Sequence, residues 1–443
     1  MNEKRRNTDV PESEKLTQFD IFKSNYDINW RHVPVILGVP MLALLGALTT
    51  ELTRPTLIWS IIFYFLTGFG ITAGYHRLWC HRTFVASLPL QVFLLVCATA
   101  SIQGSVIWWC TGHRLHHRYT DTSKDPYSVH RGLLWSHIGW LLVIEHDLPK
   151  GEVDVSDLTK DPLLIWQDKE FDWFSPVCAL LLPTVVAGLG WGDWRGGFVY
   201  AAVVRLVFVH HATFSVNSIA HYLGDRPYDN KSAGDSTITA LATLGEGNHC
   251  FHHAYPTDYR NGIRWYQYDP TKWIIALYGA LGIATDLNTF NDNEIQKGMI
   301  QTSQRRLDDW NETINWGRSL RDLPVIDMDD FRASAKAGRP LILISGIIYD
   351  VTDWVAKHPG GKKIIKSAIG KDATAMFNGG VYNHSRVARN LLDNMRVGIV
   401  RGGMEVQIFS KQDVLIKGET TTIVEVAECT GDTTTGKGTG FTR

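Results

Sequence analysis

Residues 56–81 of the chain read TLIWSIIFYFLTGFGITAGYHRLWCH. The first part of this stretch, 56–73, has no acidic or basic side chain and is long enough to cross a bilayer as a helix. Two histidines, His76 and His81, follow directly. The stretch therefore predicts a membrane helix that ends in a pair of candidate metal ligands.

Other apolar runs of spanning length accompany this helix. Residues 33–50 form one, and only the short segment 51–55 separates it from 56–73, which predicts a tight membrane hairpin. A second hairpin is predicted from 174–190 and 197–216, joined by a short turn rich in Trp and Gly. These runs predict an α-helical integral membrane protein with four transmembrane helices.

The uncharged stretch 86–109 is also long enough to span. If it crossed, the His76/His81 pair and the histidines at 113–117 would lie on opposite sides of the membrane and could not share metal ions. We therefore expect an amphipathic or re-entrant segment here. Both hairpins then return the chain to the same face of the membrane.

Charge distribution predicts that this face is cytosolic. The two opposite turns hold one arginine each, Arg54 and Arg195. The extramembrane stretches on the predicted cytosolic face hold Lys4, Arg5, Arg6, Lys23, Arg31, Arg77 and Arg82. The first 30 residues, a polar segment, lack the apolar core of a signal peptide.

Whole-chain composition excludes two classes of function. Lys and Arg number 44 against 45 Asp and Glu, so no basic excess indicates nucleic acid as the main partner. The 6 Cys form no Cys-x-x-Cys pair, which argues against a disulfide framework or a thiolate zinc site.

Four short groups carry the candidate ligands: HRLWCH at 76–81, HRLHH at 113–117, NSIAH at 217–221 and HCFHH at 249–253. On a helix, positions i, i+3 and i+4 share one face, so each H-x-x-H-H group directs three imidazoles to a common point. Nine imidazoles exceed what one ion uses, which predicts two ions. The predicted metal-site residues are His76, His81, His113, His116, His117, Asn217, His221, His249, His252 and His253.

Imidazole alone does not fix the element, since zinc, copper, nickel and iron all accept it. The groups lie beside apolar spans, which suggests chemistry on a lipid chain. Removing hydrogen from an unactivated C–H bond needs a strong oxidant, which redox-silent zinc cannot generate with dioxygen and iron can. We therefore expect two irons in a cytosolic helical cap.

The longer motifs around these groups are GITAGYHRLWCHR at 70–82, HRLHH followed by Asp125-Pro, NSIAH followed by RPYD at 226–229, and GEGNHCFHH at 245–253. They resemble the stearoyl-CoA (Δ9 acyl-CoA) desaturases over about residues 20–300. The resemblance implies that all nine histidines bind two irons and that Asn217 acts through a bound water. It also implies a bent acyl tunnel, with Gln103, Trp109 and Thr213 at its kink and Tyr64 near its closed end.

Two departures from this family concern the CoA headgroup. Family members often carry Arg-Asp before the second group and Arg-Lys after the Trp-Leu-Leu-Val stretch, whereas this chain has Thr111-Gly112 and Ile144-Glu145. Other basic residues on the same face could serve an anionic headgroup, although a solvated surface charge is the more usual role for any single one of them. They include Arg114, Arg118, Lys124 and Arg131.

A second module follows the membrane domain, for which we expect the limits 31–300, and a polar linker, 301–321. Its motifs are YDVTDW at 349–354, HPGG at 358–361, GKDAT at 370–374, Phe377, His384-Ser385 and VGI at 397–399. They resemble cytochrome b5 over 322–402, a small α+β domain. The resemblance makes His358 and His384 axial ligands of haem b, and two axial imidazoles suit electron transfer. The Thr- and Gly-rich tail, 403–443, suggests no chemistry.

The two modules together predict an O2-dependent desaturase that places a cis double bond between C9 and C10 of palmitoyl- or stearoyl-CoA. No G-x-G-x-x-G dinucleotide motif follows a predicted strand, so electrons must come from a partner. The resemblance implies cytochrome b5 reductase with NADH, and an endoplasmic reticulum location with both termini and the active site cytosolic. The alternatives are a related membrane diiron hydroxylase or a sphingolipid desaturase. A histidine-rich metal transporter and a haem-only carrier fit the ligand positions poorly.

Overall fold

A computed structural model of the chain describes residues 26–146, 151–379 and 383–402. It divides into two compact units, 1–307 and 308–443. The predicted tail 403–443 and most of the predicted segment 1–30 lie outside the described residues. The limits predicted for the membrane domain, linker and haem domain stay predictions.

Within the described residues, three helices of the first unit are long and apolar enough to cross a membrane: Arg54–Cys80, Pro162–Trp191 and Trp194–Tyr222. The predicted spans 174–190 and 197–216 lie inside the last two, which continue for several residues beyond them. Large apolar side chains on the helices face outward, as Leu48 and Leu189 do at 75% exposure each. Such exposure is expected where lipid rather than water covers a surface.

The predicted count of four spans is not confirmed. The predicted run 33–50 forms the helix Pro34–Thr49, which is apolar but shorter than the other three. The stretch 86–109, predicted not to span, contains the short helix Leu88–Thr99 and the start of a second helix, Val106–Tyr119. Between them the chain turns sharply, with φ of 49° at Ile102 and 87° at Gly104.

The turns that close the two predicted hairpins contact each other. Thr56 Oγ1 donates a 2.5 Å hydrogen bond to Asp193 Oδ2, and Trp191 Nε1 donates to Thr56 Oγ1 at 2.9 Å. Arg195 donates to the Thr49 carbonyl at 2.8 Å. Both turns therefore lie at one end of the helix bundle, and the histidines His76 and His221 lie near the other end of their helices.

Arg205 is buried among these helices and is 2% exposed. Its guanidinium donates to the carbonyls of Ala201, Ala100 and Ala179 at 3.1, 2.8 and 2.8 Å, and it lies 4.6 Å from the centroid of the Phe63 ring. The carbonyls satisfy a charged group that would otherwise be costly to bury. Arg205 thus joins three segments of the bundle.

Shorter elements complete the first unit. The helices are Thr237–Ala242, His249–Ala254, Pro270–Ala280 and most of Asp292–Glu312, with short helical turns at Val129–Arg131, Trp135–Gly139 and Trp140–Leu142. Two antiparallel strand pairs join Tyr26–Ile28 to Val143–Glu145 and Val85–Ala86 to Ala284–Thr285. Both pairs connect segments that are far apart in sequence.

The second unit contains a four-stranded sheet in the order Val325–Ile326, Arg396–Val400, Ile347–Asp350, Leu341–Ile344. The first pair is parallel and the other two are antiparallel. The helices are Met328–Lys336, Lys362–Ala368, Thr374–Phe377 and Arg386–Asp393, with a 3₁₀ turn at Leu320–Asp322. Ile344, Tyr349 and Ile365 belong to the apolar core on one side of the sheet.

Candidate metal centre

The nine predicted histidines gather into two clusters, and within each cluster the candidate ligand nitrogens lie within 4.8 Å of one another. The first cluster contains His76, His81, His113, His117 and His252, and the second contains His116, His221, His249 and His253. Adjacent residues such as His116 and His117 enter different clusters, because consecutive side chains on a helix diverge by about 100°. Each H-x-x-H-H group therefore serves both clusters.

A π-helix brings the first pair together. Residues Gly70–Cys80 continue the Arg54–Phe69 α-helix as a π-helix, and the His81 backbone N–H donates to the His76 carbonyl at 3.1 Å. A π-helix bonds residue i to i+5, which matches the five-residue spacing of His76 and His81. Such π segments are frequent at functional sites.

The donor atoms fit metal ions. In the first cluster His252 Nε2 lies 2.9 Å from His76 Nε2 and 3.0 Å from His117 Nε2. In the second, His221 Nε2 lies 3.0 Å from His116 Nε2 and 2.9 Å from His249 Nε2. His81 Nε2 is buried and has no hydrogen-bond partner among the described residues. A neutral imidazole has one donor and one acceptor nitrogen, so converging Nε2 atoms are best satisfied by a cation between them.

Burial keeps these imidazoles neutral. Removal from water lowers the pKa of His113, His117 and His252 well below the usual value, and neighbouring histidines lower it further. The same effect lowers the pKa of His249 to about 3. A neutral imidazole is the form that binds a metal.

Glu246 orients the first cluster. Its carboxylate lies 2.9 Å from His76 Nδ1 and accepts hydrogen bonds from Arg77 Nη2 at 2.9 Å and Asn261 Nδ2 at 2.7 Å. Burial alone would raise the pKa of Glu246, but His76 and Arg77 hold it at about 2. Arg77 also pairs with buried Asp269 at 2.9 Å. The carboxylate fixes the imidazole of His76 with Nε2 directed into the cluster.

The second cluster has its own outer partners. His116 Nδ1 contacts Asp125 Oδ1 at 2.9 Å, and His221 Nδ1 contacts Ser232 Oγ at 2.8 Å. The backbone N–H of Ser232 donates to Asp121 at 2.7 Å. These outer groups were not predicted as site residues, because they lie at no regular spacing from the histidines they contact.

A narrow apolar cavity of about 50 Å³ adjoins the first cluster. The predicted substrate residues Tyr64, Trp109 and Thr213 line it, together with Asn217, His76 and His113. Gln103 Nε2 donates to Thr213 Oγ1 at 3.0 Å, which brings the predicted kink residues together. Asn217 thus lies on the wall of the cavity beside histidines of the first cluster.

His358 and His384 face each other in the second unit. Their ring centroids are 6.3 Å apart, and both line a cavity of about 630 Å³ with apolar residues such as Ile365 and Phe377. With metal–nitrogen bonds of about 2 Å, two imidazoles on one iron have centroids about this far apart. His384 Nδ1 contacts the Phe377 carbonyl at 3.0 Å, which leaves Nε2 for the metal. The pair therefore fits a planar haem between two axial ligands.

Comparison with known proteins agrees with this geometry. The fatty acid desaturase family model matches residues 54–282, and the model for the cytochrome b5-like heme/steroid binding domain matches 327–401. The "Probable acyl-CoA desaturase" of Schizosaccharomyces pombe is 52% identical over 383 residues, 86% of this chain and 79% of that protein. The chain belongs to the fatty acid desaturase family.

Two further relatives of this desaturase are the "Acyl-CoA desaturase 1" of Saccharomyces cerevisiae and the "Delta(9)-fatty-acid desaturase fat-6" of Caenorhabditis elegans. The first is 43% identical over 377 residues, 84% of this chain and 74% of the yeast protein. The second is 37% identical over 276 residues, 61% of this chain and 81% of the nematode protein. The family is diiron and the C-terminal domain binds haem, so the cofactors of this desaturase are two irons and a haem.

Glu145, one of the residues that departs from the family pattern at the predicted CoA site, pairs with one of the basic candidates. Glu145 accepts a 2.7 Å hydrogen bond from Arg131, whose guanidinium lies 3.4 Å from the centroid of the Trp135 ring. Arg114 pairs with Asp157 at 2.7 Å. Two of the four basic candidates are therefore engaged by carboxylates. The other two, Arg118 and Lys124, lie 5.3 and 5.4 Å from the centroid of the Tyr119 ring.

Proposed function

We propose that this desaturase removes one hydrogen each from C9 and C10 of a saturated fatty acyl-CoA and leaves a cis double bond. The observation that carries the proposal is the narrow apolar cavity beside His76 and His113 of the first cluster. Its apolar lining suits a saturated alkyl segment, and a methylene pair placed there would lie next to the proposed metal ligands. Relatives named as acyl-CoA and Delta(9) desaturases support this reading.

The chain's own residues hold the substrate and the ligands. The Gln103–Thr213 hydrogen bond joins the turn before the Val106–Tyr119 helix to the Trp194–Tyr222 helix, and so fixes the cavity wall at the predicted kink. Trp109 stacks on His113 with centroids 4.9 Å apart and covers the cluster on the cavity side. A fixed wall decides which methylene pair reaches the reacting position.

The proposed iron ligands are the nine histidines of the two clusters, with Asn217 contributing through water. When bound, the two irons supply the oxidising chemistry with dioxygen. In the overall reaction, two hydrogens from the substrate, two external electrons and two protons together reduce one dioxygen to two waters. His358 and His384 would hold the haem, which would supply one-electron transfer.

The electron donor, the location and the orientation in the membrane are further parts of the proposal. We propose that cytochrome b5 reductase supplies electrons from NADH, because no dinucleotide motif is present in the chain. We place four spans in the endoplasmic reticulum membrane, with both termini and the histidine clusters cytosolic. Arg118 and Lys124 are the candidates for contact with the anionic headgroup.

The test is the fatty-acid profile of a Δ9-desaturase-deficient cell that expresses the chain, in parallel with the His252→Ala and His358→Ala variants. We expect 9-cis monounsaturated chains from the intact protein and none from either variant at equal protein level. A hydroxylated product, or a double bond away from C9, would refute the proposal. Full activity of His358→Ala would show that a separate cytochrome can feed the irons.

A further inference from the structure

Asp121 lies just beyond the Val106–Tyr119 helix, which carries the HRLHH group. Its backbone φ is 69°, in the left-handed region that aspartate adopts more readily than most residues. Its side chain is 11% exposed. A left-handed residue is an ordinary way to end a helix, so a role for Asp121 beyond helix termination has to follow from its contacts.

Asp121 contacts both outer partners of the second cluster. Its backbone N–H donates to Asp125 Oδ2 at 3.2 Å, and the other oxygen of that carboxylate, Oδ1, lies 2.9 Å from His116 Nδ1. Its own carboxylate accepts the backbone N–H of Ser232 at 2.7 Å, and Ser232 Oγ lies 2.8 Å from His221 Nδ1. One residue therefore stands behind two of the candidate metal ligands.

These contacts close a ring around the second cluster. His116 Nε2 and His221 Nε2 lie 3.0 Å apart inside the cluster, and Asp121 joins their outer partners on the far side. The two histidines are 105 residues apart in sequence, and Asp121 and Ser232 are 111 residues apart. The ring therefore ties two distant segments together at the point where their imidazoles meet.

Ser232 is held firmly enough to pass this constraint on. Its carbonyl accepts hydrogen bonds from the Arg226 guanidinium at 2.8 and 3.0 Å, in addition to the contacts of its N–H with Asp121 and of its hydroxyl with His221. A movement of the hydroxyl with its backbone would therefore disturb other contacts of the same residue. The partner of Nδ1 sets the orientation of an imidazole and which nitrogen faces the metal.

We propose that Asp121 is a positioning residue that sets the separation and orientation of His116 and His221 in the second cluster. The inference rests on the proposed iron ligands, since it concerns how two of them are held. Loss of a direct outer partner costs about 10–100-fold in metal affinity. Asp121 stands one contact further out but acts on two ligands, so we expect the lower end, about tenfold.

The test compares full-length Asp121→Gly and Asp121→Asn proteins. Both new residues accept a left-handed backbone, but only asparagine keeps an acceptor oxygen for the Ser232 N–H. The matched control is Asp286→Gly, because Asp286 is an exposed aspartate with a φ of 52° that contacts Thr285 rather than a cluster.

A chelator is titrated against each iron-loaded protein, and the non-haem iron per chain is measured together with its Mössbauer spectrum. The clusters contain five and four histidines, so their irons should give different signals. We expect Asp121→Gly to release one of two non-haem irons at about tenfold lower chelator concentration, with a change in only one signal. Asp121→Asn and Asp286→Gly should resemble wild type.

Two results would overturn the inference. The first is wild-type retention of both irons in Asp121→Gly. The second is an equal loss of iron in Asp286→Gly, which would show a general effect of glycine at a left-handed position.

A double-mutant cycle tests whether the effect passes through Ser232. Ser232→Ala keeps the backbone N–H that Asp121 accepts but removes the hydroxyl behind His221. We expect Asp121→Gly to cost less iron affinity in the Ser232→Ala background than in wild type, and equal costs would contradict the inference. If Asp121→Gly does not accumulate, Ser232→Ala decides, because wild-type iron retention there would leave Asp121 without a hold on His221.

These measurements are separate from the proposed function, since they need no desaturated product. If wild type forms no double bond at C9 and Asp121→Gly still releases one iron early, the proposed function fails and the inference stands. If wild type forms the C9 double bond and Asp121→Gly keeps both irons, the inference alone fails.

Discussion

Replacing Glu246 by Gln is expected to weaken metal binding at the first cluster while the fold survives. One carboxylate oxygen contacts His76 Nδ1 at 2.9 Å and Asn261 Nδ2 at 2.7 Å, and the other accepts from Arg77 at 2.9 Å. Glutamine has a single acceptor oxygen, so its amide nitrogen must face one of these donors. Arg77 keeps its pair with Asp269, which leaves its charge compensated.

The size of the effect follows from the outer position of Glu246. Loss of a partner that orients a metal-bound histidine costs about 10–100-fold in metal affinity. Glutamine retains one acceptor, so we expect the lower end, about tenfold, or about 1.4 kcal/mol. The second cluster, which Asp125 and Ser232 orient, should hold its metal as in wild type.

The assay titrates a chelator against purified, iron-loaded protein and measures the iron that remains per chain. We expect the Glu246→Gln protein to lose about half of its non-haem iron at roughly tenfold lower chelator concentration. The control is Glu294→Gln, which removes an exposed partner of Lys297. Identical release curves for wild type and Glu246→Gln, with circular dichroism unchanged, would show that His76 does not depend on this carboxylate.

Three further predictions concern other parts of the molecule. His358→Ala should lose haem, with its visible absorption band and its iron atom, while keeping the two non-haem irons, as measured by spectroscopy and metal analysis. Arg205→Met should lower the melting temperature, because three buried carbonyls lose their donor at about 1–3 kcal/mol for each group left unsatisfied. Burial raises the pKa of Asp235 to about 6, so its protonated form is favoured in the folded state. Relative to Asp235→Asn, wild type should therefore lose melting temperature as pH rises from about 4 to about 6.

The H-x-x-H-H spacing predicted groups of candidate ligands, but the expectation that each group directs its three imidazoles to one point was wrong, because the structure divides each group between two clusters. The H-x-x-H-H groups can be read from the sequence, and the structure brings all nine histidines into two clusters. Spacing could not assign histidines to clusters, because that depends on how separate helices pack. His117 and His252 are 135 residues apart, yet their Nε2 atoms lie 3.0 Å from each other.

Features without a local signal were missed. The π-helix at Gly70–Cys80 and the left-handed backbone conformation of Leu244, with a φ of 56°, depend on packing against other segments. No residue pattern marks either of them. Glu246 and Asp125 belong to the motifs that carry the family resemblance, but their contacts with the imidazoles of His76 and His116 become visible only in the fold. Two helices extend past the predicted spans 174–190 and 197–216, since a helix continues past its apolar run wherever the flanking polar residues remain hydrogen-bonded.

The turn that contains Leu244 and Glu246 contacts one helix at two points. Leu244 packs against Gly68, and Glu246 contacts His76 on the continuation of the same helix. Gly68, His76, Leu244 and Glu246 all line the apolar cavity. The turn therefore fixes the cavity wall and the imidazole of His76 relative to each other, because both contacts are made to a single element.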